Sequence, residues 1–60
     1  MEKNAQYYLQ RVEQERAAAA NAKHPLVRER HEQMAAAYEL RLRAIAAEEA
    51  RMSFRLVTAA

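Results

Sequence analysis

Residues 25–57 read PLVRERHEQMAAAYELRLRAIAAEEARMSFRLV, and this stretch decides the fold. Along it, Val27, His31, Met34, Tyr38, Leu42, Ile45, Glu49, Met52 and Leu56 advance by three or four residues at each step. That spacing places them on one face of an α-helix. All but His31 and Glu49 are apolar. A helix of this length leaves room for only one more, so the residues before it must pack against it or lie free.

Immediately upstream the helical pattern breaks at Asn21-Ala22-Lys23-His24-Pro25. Proline suits the first position of a helix and drives the residue before it, His24, into an extended conformation. Asn21 is the residue best able to end a helix in the left-handed conformation, because the chain has no glycine. A connection this short joins antiparallel neighbours. The first helix is expected to start at Asn4, whose short side chain can cap a free amide. Its inward face reads Ala5, Tyr8, Leu9, Val12 and Ala19, interrupted by Glu15 and Arg16, and Tyr7 falls on the far side. The run Ala17 to Ala20 marks a place where another backbone comes close. Met34, Tyr38, Leu42 and Ile45 face inward from the second helix, flanked by Ala35 and Ala46.

The expected fold class is all-α: an antiparallel two-helix hairpin in a single domain, 1–60. Its helices are placed at about 4–21 and about 25–56, with a loop at about 21–24. Exposed pairs such as Arg28–Glu32 and Glu39–Arg43 support the second helix by a few tenths of a kcal/mol each. Glu2 at the start of the first helix, Arg16 and Lys23 near its end, and Arg51 and Arg55 near the end of the second suit the helix dipoles.

Folding the hairpin about Lys23 sets Ala19 against Val27, Val12 against Met34, Tyr8 against Tyr38 and Met1 near Ile45. At about 1.5 Å per residue the first helix reaches no further. Met52, Phe54, Leu56 and Val57 therefore extend past the end of their own hairpin and call for a covering chain. Together with Leu42, Ile45 and Leu40 they form the expected interface. Leu40 lies away from the Tyr38 face, on a strip with Leu26, Ala36, Ala44 and Ala47. The segment Arg51–Leu56 also alternates apolar and polar with period two, which would suit an extended arm leaving the helix after Met52.

Composition points the same way. The chain has 60 residues and no cysteine, which removes disulfides and thiolate chemistry. So short a chain buries too little surface to be comfortably stable alone. About half of its apolar residues are alanine, which favours self-association, a homodimer closing one four-helix core. Ten basic residues stand against eight acidic ones, a net charge of +2, unlike the one-sided excess of a dedicated nucleic-acid binder. The arginine and alanine bias is associated with bacterial genomes rich in G and C. No apolar leader and no run of about 18 apolar residues is visible, so a cytoplasmic protein without a membrane span is expected.

No catalytic constellation emerges. Glu48 and Glu49 point about 100° apart on a helix and cannot serve one substrate as acid and base. Ser53 and Thr58 have no histidine beside them, and no nucleophile–base pair can be built. His24, His31 and Glu49 are the residues from which a metal site in a bundle core would be made, but they lack the Glu-x-x-His spacing of carboxylate metal bundles. His31 and Glu15 read as packed or paired core residues, Glu15 with an arginine such as Arg16 of a facing helix. No cofactor is expected. For nucleic acid, Tyr7, Tyr8 and Tyr38 would stack on bases while Arg30, Arg41 and Arg55, along one edge of the second helix, held phosphates. Glu48 interrupts that edge. A membrane-surface role is weakened by Glu29, Glu32, Glu39 and Glu48 on the polar face.

The spacing Tyr7-Tyr8, Arg11, Glu13, Glu15, Ala19, Pro25, His31, Met34-Ala35, Tyr38 resembles short, uncharacterised bacterial helical-hairpin proteins rich in Ala, Glu and Arg, over residues 5–47. The resemblance implies the hairpin and brings no activity with it. In length and topology alone, the chain is also similar to Rop-type RNA-binding hairpins, which pair as antiparallel four-helix bundles. The sequence thus leads to a small, non-catalytic interaction or regulatory protein that acts as a homodimeric bundle. An RNA- or DNA-binding dimer is the first alternative and a metal-binding bundle the second.

Overall fold

A computed structural model describes the backbone of residues 2–59 and the side chains of residues 4–54. It contains two helices, α1 (Glu2–Asn21) and α2 (Pro25–Ala59), packed as an antiparallel hairpin. α1 begins before Asn4, which sits inside its first turn. Glu, Lys and Gln are better helix formers than Asn, and nothing in that segment stops the helix. α2 runs unbroken through residues 53–59, so the tail is helical and the extended-arm alternative is excluded for the described residues. The period-two pattern there was too short to compete with the helical propensity around it.

The connection is closed by side chains. The α1 end uses no left-handed residue: no non-glycine residue among those described has a positive φ. Instead the Asn21 Nδ2 donates to the Ala17 carbonyl at 2.9 Å, and the Ala22 amide donates to Ala19 at 3.2 Å, tightening the last turn. The Arg28 Nη2 donates to the Ala22 carbonyl at 3.1 Å. Across the gap, His24 caps α2: its Nδ1 accepts the Leu26 amide at 3.2 Å, and its carbonyl accepts the Arg28 amide at 3.0 Å. Pro25 stands at the first helical position, where its missing amide is no loss.

The packed faces are rotated relative to the sequence expectation. Val12, Ala19 and Ala35 are the buried apolar residues, with Glu15 buried among them. Met34, expected opposite Val12, is 41% exposed, and Leu9 and Val27 are also exposed. Alanines at Ala19 and Ala35 let the two backbones approach closely, and the bulkier Met34 is left at the flank of the contact. Tyr38, Leu42 and Ile45 are half-buried. The register holds: Tyr8 lies against Tyr38, ring centres 6.0 Å apart.

Neither helix has a basic residue in its last turn, so Arg16, Arg51 and Arg55 fall short of the helix ends they were expected to support; at the α1 end that place is taken by Arg28 on the Ala22 carbonyl. α2 continues past Arg51 and Arg55, and Arg51 bonds Glu48 instead. Glu39 reaches Arg16 across the hairpin at 2.5 Å rather than turning to Arg43. α2 has 35 residues against 20 in α1, so it overhangs by about 22 Å at 1.5 Å per residue. The molecule measures 55 × 16 × 11 Å, with a radius of gyration of 15.4 Å. A compact chain of 60 residues would have about 10 Å.

Candidate interaction surface

The polar centre of the hairpin is Glu15. Its carboxylate is reached from both sides: the Arg11 Nη2 donates to Oε2 at 2.8 Å, and the His31 Nδ1 meets Oε1 at 2.6 Å. An ionised carboxylate only accepts, so Nδ1 carries the proton in this contact. Glu15 does pair with an arginine, but with Arg11 of its own helix, one turn back. His31 is thereby a hydrogen-bonded core residue. Arg11 also donates to the Gln14 Oε1 at 2.8 Å, while its Nε is buried without a partner.

One turn toward the open end, the same face becomes aromatic. Tyr7 packs edge-on against Tyr8, ring centres 5.4 Å apart. The Arg11 guanidinium lies 5.3 Å from the centre of the Tyr38 ring, and the Arg41 guanidinium lies 5.8 Å from that of Tyr8. Arg41 also donates to the Tyr8 hydroxyl at 3.4 Å. Hydrogen bonding to Tyr38 is the largest influence holding Arg11 above the ordinary arginine value, and Tyr8 does the same for Arg41. A raised pKa contributes fully at any pH below the ordinary value and fades only when alkali passes the raised one. Both side chains are therefore cations throughout the usual range.

These contacts fix which flanks adjoin. Tyr7 and Arg11 of α1 lie beside the Tyr38 and Arg41 side of α2, and helical spacing continues that side through Val27, Met34, Ile45 and Met52. Tyr7 is 54% exposed and Met52 50%. Met34, Ala37, Tyr38 and Arg41 line an open hollow on this flank. Arg16 and Glu39 close the opposite flank, next to Leu9.

The expected interface residues are distributed over three places. Leu42 and Ile45 are half-buried at the open end of the hairpin. Met52 projects along the Met34 flank, whereas Phe54, two residues on, points about 160° away from it. Leu40 lies with Leu26 on the side of α2 turned away from α1, both about two-thirds exposed. Leu56 and Val57 lie in α2, and their side chains fall outside the described residues. Of the arginine row, Arg41 is engaged by Tyr8, Arg30 is exposed beside the loop, and the Arg55 side chain falls outside the described residues.

Compared with protein-family models, curated sequences and solved structures, the chain matches none. Among the described residues no helix is long and apolar enough to cross a membrane, and no three His, Cys, Asp or Glu side chains converge as a metal site would require. Sequence reasoning missed the roles of Arg11, Arg16 and His24. The Arg11–Glu15 spacing of four residues was a legible signal for the first. The Tyr8–Tyr38 register, extended by one turn on each helix, would have placed Arg11 and Arg41 over the rings.

Proposed function

We propose that this chain is a small, non-catalytic interaction protein whose working form is a homodimer, two hairpins packed as a four-helix bundle. The observation that carries this reading is the poverty of the hairpin's own core. One valine and two alanines are its buried apolar residues, no large side chain among those described is fully buried, and eight large apolar residues are 41–69% exposed. Such a core is too small to hold 60 residues folded without a partner surface. The exposed residues of the tyrosine–arginine flank, with Ile45 and Met52 beyond it, form the contact.

The nucleic-acid alternative loses support at Glu48, an acid that interrupts the arginine edge, and from a net charge of only +2. Arg30 and Arg41 are the exposed members of the row among the described residues, two cations beside that acid.

Sedimentation equilibrium tests the proposal. The expected mass is twice that of the chain, falling on dilution. Truncation after Arg51 is expected to weaken association. A full-length chain that stays monomeric while folded at high concentration overturns the reading.

A further inference from the structure

Met34, Ala37, Tyr38 and Arg41 line a hollow open to solvent on the tyrosine–arginine flank. We infer that a second copy, running antiparallel, lays its α2 overhang into this hollow, with the two-fold axis within one turn of Ile45. The inference rests on the homodimer proposed above and specifies its contact.

Three observations converge on that arrangement. The first is area. The chain exposes 5125 Å², against about 4,000 Å² for a compact chain of 6.9 kDa. A standard interface removes about 800 Å² per partner, most of that excess.

The second is charge. A parallel, in-register pairing of this flank would set Arg41 beside Arg41 and Glu48 beside Glu48. Like charges facing one another disfavour that arrangement. Reversing one chain about Ile45 brings the partner's Glu48 and Glu49 alongside Arg41, so opposite charges meet. It also brings the partner's Met52 over Tyr38 and Met34, a thioether against an aromatic ring, and Ile45 against its own copy.

The third is length. In this register the overhang lies along roughly residues 31–44 of the other chain. That is the part of α2 already backed by Tyr7 and Tyr8, so each overhang docks where its partner's hairpin is two helices thick. Each copy's excess length becomes the other's cover, and the contact is self-complementary, as a two-fold requires.

The chain has no cysteine, and Ser53 is exposed in the overhang, so Ser53→Cys gives a single site for a nitroxide label. Paired labels are expected roughly 25–30 Å apart in the antiparallel dimer, and under about 15 Å in a parallel one. A dimer with the short distance overturns the inference while the homodimer stands. A monomeric mass with no dipolar coupling overturns both. As a second reading, Arg41→Glu is expected to weaken association at least tenfold, and adding Glu48→Arg with Glu49→Arg to restore most of it. A purely structural role for Arg41 on Tyr8 predicts no such rescue, and its failure overturns the charge pairing.

Discussion

Glu15 is the buried carboxylate among the described residues, and its two partners differ in what their loss would do. Its side chain is 8% exposed, against 30% for Arg11 and 32% for His31. Removing His31 leaves Oε1 in a dry place without its donor, whereas removing Glu15 leaves partners that can still reach water. His31→Ala is therefore expected to lower stability by about 1–3 kcal/mol in urea unfolding. Glu15→Leu, which replaces the buried charge with apolar volume, is expected to cost less than His31→Ala or to stabilise. Equal losses in the two variants would mean that burial of the carboxylate is not what matters there. The existence of this contact was half legible. His31 and Glu15 each stood out as polar interruptions of an apolar face, but periodicity assigns a residue to a face without naming its partner. Glu15 was accordingly matched to the wrong arginine.

At the scale of the elements, the break and the register could be read from the sequence because both follow from local chemistry. Pro25 marks a helix start whatever surrounds it, and antiparallel folding about so short a loop leaves little freedom in which residues face each other. The rotation of the two helices could not be read in the same way. It is decided by Ala19 and Ala35, whose small side chains permit a close approach that no hydrophobicity pattern registers, and it moves Met34 from the centre of the contact to its edge. The α2 end was ambiguous because Met52 to Leu56 fits two periods, and the intrinsic preference of its neighbours for helix decided the matter. The overhang has about four turns with no second helix of its own chain beside it, a length at which isolated helices are marginal in water. Its amides are expected to exchange with deuterium as fast as coil when the protein is dilute, and to become protected as concentration rises. The amides of residues 27–44, which have α1 beside them, should be better protected than those of the overhang at any one concentration. Concentration-independent protection of the overhang would show that it holds itself.

For the whole molecule, the hairpin is a rod with three different sides. One flank carries tyrosines, arginines and the hollow; the opposite one carries the Arg16–Glu39 pair. The outer side of α2 carries Leu26 and Leu40 above alanines. The fold class and the surplus length of α2 followed from the sequence, since they depend on counting residues on either side of Pro25. Which side of the overhang continues the tyrosine–arginine flank did not, because Met52 and Phe54 are near neighbours in sequence and point in nearly opposite directions in space.

The bend itself rests on a single residue type. With no glycine anywhere and no left-handed residue among those described, Ala22, Lys23 and His24 carry no conformational bar to joining the helices on either side; Pro25 supplies the bar, through the clash its ring imposes on a preceding helical turn. Pro25→Ala is expected to let α1 and α2 fuse, raising the maximum dimension of the single chain in dilute small-angle scattering from 55 Å toward roughly 85 Å for one straight helix. An unchanged dimension would mean that the tyrosine and glutamate contacts close the hairpin unaided. If the chain straightens, the face that α1 covers in the hairpin is laid bare along the first half of one long spar, so a single codon would turn an inward surface outward.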